Sequence, residues 1–177
     1  MTTANKITLL RIALIPVFMI LAYTGAGVWA VLVFLLASLS DTLDGYIARH
    51  YDQITDFGKF MDPLADKILV LSAMCFFVER GQMPGWAVAV ILFREFAVSG
   101  LRLIAVERGR VIAAGWSGKV KTTVTMLGII LMLAFPKSGI LNRICVLLIL
   151  ITTVYSGAEY FWKNRDVFPV QREDARR

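Results

Sequence analysis

The sequence predicts an all-α integral membrane fold: six transmembrane helices with both termini on the cytoplasmic side. Three observations predict it. Of 177 residues, 58% are hydrophobic and the mean hydropathy is +0.68, well beyond an ordinary soluble domain. Six mostly apolar runs approach the roughly 20 residues that a spanning helix needs. The lysines and arginines are spread very unequally between the two sets of connections that those runs define.

The first run, 7–23, follows Lys6 and Arg11 and ends in small residues, a signal-like pattern. More spans follow, so it reads as the first span. Thr24–Gly27 makes a turn-like break before the second run, 28–49. Tyr51–Thr55 separates that run from the third, 58–79, and Gly81–Pro84 introduces the fourth, 84–105. A polar stretch over 108–118 leads to the fifth, 120–136, and Pro136–Gly139 turns into the sixth, 139–161. Trp29, Trp86 and Trp162 fall at span ends, where indoles favour the interface. Residues 1–177 read as one membrane domain, with 166–177 a flexible polar tail.

Of the 19 basic residues, 14 lie on the side of the N-terminus, Arg80, Lys137 and Arg143 lie on the other, and Lys67 and Arg94 fall within spans. The positive-inside rule then places both termini in the cytoplasm. A net charge of +6 at segments flanking apolar spans points to anionic headgroups and phosphorylated substrates, with no nucleic acid expected. Cys75 and Cys145 sit within apolar runs without a CxxC or nearby histidine and read as packing residues.

The chemistry concentrates in DTLDGYIARHYDQITDFGKFMDPLAD, residues 41–66. On the second helix Asp41, Asp44, Gly45 and Ala48 share a face, as do Gly58, Asp62 and Asp66 on the third. The two helices form a hairpin at the inner face, so these faces converge four carboxylates. Each charge at a helix centre costs about 2.5 to 3.5 kcal/mol. A cationic counterpart is therefore required. Lys67 diverges by about 100° from Asp66, and Arg49 lies nearly two turns below Asp44. An all-oxygen donor set suits Mg²⁺, Mn²⁺ or Ca²⁺, and two divalent ions would balance four aspartates in a clamp suited to displacement at phosphorus. Gly45, Ala48 and Gly58 fit either close helix packing or a cleft that admits a ligand to the backbone. Asp52 and Asp56 read as solvated turn charges, and His50 as an interfacial residue.

The pattern D-x-x-D-G-x-x-A-R-x8-G-x-x-x-D-x-x-x-D, formed by Asp41, Asp44, Gly45, Ala48, Arg49, Gly58, Asp62 and Asp66, resembles the signature of the CDP-alcohol phosphotransferase family at every fixed position. The resemblance implies a six-helix membrane enzyme, commonly a homodimer, that transfers a substituted phosphoryl group from a CDP-linked donor to an alcohol and releases CMP. It implies that Asp41, Asp44, Asp62 and Asp66 hold two divalent metal ions, Mg²⁺ or Mn²⁺, and that Asp66 is also the base. It places Asp44, Gly45, Ala48, Arg49 and Gly58 around the cytidine diphosphate. Asn5, Thr8 and Arg11 resemble the family's N-x-x-T-x-x-R stretch beside the nucleotide; Arg11 fits a positive-inside anchor equally well.

The second half bears on the acceptor. Arg94 and Arg102 lie about 80° apart around the fourth helix, and Glu95 diverges from Arg94 in direction. With Lys119 and Lys121 they make a basic pocket suited to phosphate. A structural pairing of Arg94 with an aspartate or with Glu159 is the alternative. REFAVSGLR followed by GKVKTT is similar to the phosphatidylglycerophosphate synthase branch, which implies CDP-diacylglycerol as donor and sn-glycerol 3-phosphate as acceptor; inositol phosphate would need the same pocket. That branch also implies a prokaryotic plasma membrane, with membrane lipids as partners and the active site facing the cytoplasm. A cation transporter is the rival class, but it leaves Gly45, Ala48, Arg49, Gly58 and the basic pocket without a shared purpose.

Overall fold

The computed structural model describes residues 3–50, 56–113 and 115–167, with the backbone only at 3, 4, 41–50, 56, 57, 59 and 60. Among these residues the chain is all helical: α1 (Thr3–Tyr23), α2 (Gly27–His50), α3 (Asp56–Glu79), α4 (Gly85–Glu107), α5 (Trp116–Ala134), α6 (Gly139–Lys163) and a short 3-10 turn at Arg165–Val167. Each of the six expected helices is present. α1 and α5 begin about a turn earlier than the apolar runs did, because polar residues continue the backbone ladder past the point where hydropathy falls. Gly25 and Gly81, at φ +81° and +68°, make left-handed turns after α1 and α3, a region that L side chains avoid.

Side-chain contacts set the helix directions. Thr8 of α1 meets Asp62 of α3, and Tyr23 meets Glu79 at their other ends, so α1 and α3 run parallel. At the Tyr23 end, Gln82 donates to the Pro136 carbonyl at 2.8 Å, joining the turn before α4 to the turn before α6. At the Thr8 end, Arg110 after α4 pairs with Asp166 after α6. The start of α1 and the segment after α6 therefore share one end of the bundle, here called the site end. Among the described basic residues, Arg80, Lys137 and Arg143 lie toward the far end, whereas Lys6, Arg108, Arg110, Lys119, Lys163 and Arg165 lie toward the site end.

An apolar core holds several buried polar groups within it, and the outside is apolar as well. Phe18, Phe34, Leu69, Phe77, Ile129, Met132 and Ile149 form the main core, closed tightly because Ala30, Ala37 and Ala73 let helices approach. Thr8, Arg11, Lys121, Thr153 and Ser156 are also buried, whereas Ile20, Leu36, Phe93, Ile151 and Val154 are exposed. Such a surface suits lipid rather than water. α1, α5 and α6 are each long and apolar enough to cross a membrane by length and composition. Trp29, Trp86 and Trp162 stand exposed near helix ends, as interfacial anchors should.

α5 packs on α6 through Gly128. A Cβ there would lie 2.9 Å from Ile149 Cδ1 and 3.3 Å from its Cγ1, and Ile149 is fully buried. Gly128→Val is expected to destabilise the bundle by about 1 to 3 kcal/mol through overpacking, read as a lower thermal unfolding midpoint in detergent micelles. Beyond the helices, the Arg110 guanidinium hydrogen-bonded to Asp166 holds that carboxyl below its usual range, aided by Arg165 and opposed by partial loss of water. A depressed carboxylate stabilises the fold above its unfolded pKa, and that contribution disappears as pH falls through the folded value. Asp166→Asn is expected to remove this acid-side segment from the unfolding midpoint measured against pH.

Candidate active site

Helix α3 positions the part of the acidic signature whose side chains are described. Gly58 is buried, and Asp62 and Asp66 are half-buried one turn apart, so their side chains leave the helix on the same face. Pro63 lies between them and cannot donate to the helix ladder. Thr8, buried on α1, donates its hydroxyl to Asp62 Oδ1 at 2.6 Å. That contact orients one carboxylate oxygen and leaves the other lone pairs for further ligands. Asn5 is also buried, at the same end of α1.

Arg11 turns into the bundle: it is only 1% exposed, and its Nε donates to Ser40 Oγ at 3.1 Å, beside Asp41 in the chain. Asp41, Asp44, Gly45, Ala48 and Arg49 fall within α2, and their side chains, with the expected convergence of four aspartates, lie outside the described residues. Among the described residues, no three acidic, histidine or cysteine side chains cluster as a metal site. The described donors nonetheless fit a hard divalent ion. Asp62 and Asp66 offer oxygens from one helix face, and the Thr8 hydroxyl already satisfies part of Asp62.

Asp66 opens onto a cavity of about 160 Å³ between α3, α4 and α5. Lys67, Glu95 and Lys121 line it with Asp66, and Val70, Leu71, Met74, Ile91, Leu92 and Met126 supply apolar walls. Lys67 does not counter Asp66 directly but reaches α4, donating to Ser99 Oγ at 2.8 Å. Lys121 is buried, with Nζ 2.6 Å from Glu95 Oε1. Arg94 Nη1 lies 3.0 Å from the same oxygen, and its Nη2 donates to Ser156 Oγ at 2.5 Å.

That geometry corrects the expectation that Glu95 diverges from Arg94. Adjacent Cβ atoms are about 100° apart on a helix, but two long side chains can bend across that angle. Pairing of Arg94 with Glu159 is also overturned, since Glu159 pairs with Lys163. Gly157 makes room for the guanidinium arm, since a Cβ there would stand 3.0 Å from Arg94 Cγ. The parts that Glu95, Ser156 and Gly157 play around Arg94 were missed by sequence reasoning. The available signal was an intramembrane glutamate beside an arginine, with a lysine entering the next span.

The other two expected acceptor residues stand apart from this cluster. Arg102 donates from Nε to the Tyr160 hydroxyl at 2.7 Å, with its guanidinium over that ring. Lys119 is exposed, about 160° around α5 from Lys121.

The family model described as CDP-alcohol phosphatidyltransferase matches residues 1–155. The chain belongs to that family. Among curated relatives, it is 40% identical to a CDP-diacylglycerol--glycerol-3-phosphate 3-phosphatidyltransferase of Bacillus subtilis strain 168, over 90% of this chain and 93% of the relative. It is 40% identical to a probable phosphatidylglycerophosphate synthase of Mycobacterium tuberculosis H37Rv, over 89% and 78%. An Escherichia coli K12 relative with the same name as the Bacillus protein is 39% identical over 74% and 76%. That family generally uses divalent metals.

Thr8→Val deletes a hydrogen bond to a charged group while keeping shape. It is expected to cost about 1.5 to 3 kcal/mol, whereas Thr8→Ser retains most of the stability. Thermal unfolding of the purified variants in micelles, compared side by side, checks the difference.

Proposed function

We propose that this chain transfers the phosphatidyl group of CDP-diacylglycerol to sn-glycerol 3-phosphate, producing phosphatidylglycerophosphate and CMP. One observation carries the reading: Asp66 of the signature and Lys121 of the basic segment line the same cavity, in a chain whose relatives bear this enzyme's name. Residues 1–177 act as one domain that crosses the prokaryotic plasma membrane six times, as a homodimer. Both termini and the active site face the cytoplasm, in keeping with the basic residues at the site end.

In this reading Asp41, Asp44, Asp62 and Asp66 hold two divalent ions, Mg²⁺ or Mn²⁺, which when bound supply charge neutralisation at the pyrophosphate. Asn5, Thr8, Asp44, Gly45, Ala48, Arg49 and Gly58 surround the cytidine diphosphate. Thr8 orients Asp62 through its hydrogen bond. Asp66 takes the proton from the acceptor hydroxyl as its oxygen attacks the phosphorus that carries diacylglycerol. The bridging P–O bond breaks in line and CMP leaves with the electron pair. Arg94 and Lys121 receive the acceptor phosphate, with Arg102 and Lys119 adding positive potential toward the site end. The apolar walls of the cavity exclude water that would compete with the acceptor hydroxyl.

Purified chain supplied with CDP-diacylglycerol and Mg²⁺ or Mn²⁺ is expected to release CMP when sn-glycerol 3-phosphate is added. Release with inositol phosphate alone would overturn the acceptor, and metal flux in vesicles without CMP release would favour a transporter. Asp66→Asn is expected to lower kcat by at least about 100-fold, the range for a lost general base. Near-normal turnover would remove Asp66 from that role.

A further inference from the structure

We infer that Glu95 is the positioning residue of the anion pocket: it holds Lys121, which lines the cavity with Asp66, and Arg94 of its own helix together as a preset pair of cations. The inference deepens the acceptor reading above and rests on it for the identity of the anion, though not for the pocket itself. Glu95 Oε1 lies 2.6 Å from Lys121 Nζ on α5 and 3.0 Å from Arg94 Nη1 on its own helix. Both cations are largely buried. A lysine is a flexible stem with three donors that point wherever its partner lies, so in this apolar setting the carboxylate determines where the ammonium sits.

Arg94 is held from three sides. Glu95 takes Nη1, Ser156 takes Nη2, and the bare backbone at Gly157 accommodates its arm. Its Nε is buried without a hydrogen-bond partner among the described residues. One carboxylate thus faces two cations, and donor capacity is left over on Arg94. A buried cluster with surplus positive charge and an unused N–H calls for an anion, and two oriented cations suit the several oxygens of a phosphate monoester. Arg94 and Lys121 meet at one carboxylate oxygen, so Glu95 fixes the position of each relative to the other.

Glu95→Gln keeps the size and one acceptor oxygen but removes the charge. We expect the glycerol 3-phosphate KM to rise about tenfold, the scale of one lost charge-assisted hydrogen bond, with the CDP-diacylglycerol KM changed less than about twofold. Glu95→Asp should recover part of the loss. In a Lys121→Met background, Glu95→Gln should add little, because its principal partner is gone. A readout that needs no turnover is the concentration of inorganic phosphate or glycerol 3-phosphate that half-maximally stabilises the chain against thermal unfolding in micelles. It should rise in Glu95→Gln in parallel with KM.

Several results would overturn the inference: equal rises in both KM values alongside a lower unfolding midpoint, additivity with Lys121→Met, or a fall in acceptor KM, which would make the carboxylate a competitor for the site. No stabilisation of the wild type by either anion would overturn it as well. Stabilisation by phosphate that Glu95→Gln weakens, in a chain that releases CMP only with a different phosphorylated alcohol, would support Glu95 and overturn only the choice of glycerol 3-phosphate.

Discussion

A charged side chain inside a bundle with an apolar exterior must find its counterpart inside that bundle, because the surroundings offer nothing to solvate it. This constraint shapes the interior of the protein. Arg11 turns in toward Ser40, Lys67 crosses to Ser99, and Lys121 and Arg94 converge on Glu95. Each contact ties two helices together or fixes one cation near the acidic face of α3. These polar groups are therefore cross-links of the fold.

The same constraint explains the shape of the site. Asp66 and Lys67 of α3, Glu95 of α4 and Lys121 of α5 share the walls of one cavity, and most of its remaining lining is apolar. Under the proposed function, that grouping sets phosphate among fixed charges while aliphatic chains stay in an apolar medium. Thr8 contributes from a third direction, so α1 acts as a brace for the acidic helix as well as a span.

Small residues make these approaches possible. Gly157 creates the space that Arg94 occupies, and Gly128 lets Ile149 pack against α5. In lipid, helix association depends on close van der Waals contact and interhelical hydrogen bonds more than on expulsion of water. A methyl group at such a position acts directly on the neighbouring helix, which is why residues with no chemistry of their own control where a guanidinium can sit.

Much of this was legible in the chain alone. Apolar run length located six helices, because crossing length depends on local composition, and the fixed spacing of Asp62 and Asp66 placed them on one face, because helical periodicity is local. The eight-residue signature identified the family that the matched relatives bear out. Tertiary structure decided the pairings: which cation met Glu95, that Arg11 points inward, that Thr8 reaches Asp62, and that Arg102 goes to Tyr160 instead of joining Arg94. Those outcomes depend on helix rotation, on the reach of long side chains and on gaps opened by glycines of other helices, and none of these is encoded within a single turn of sequence.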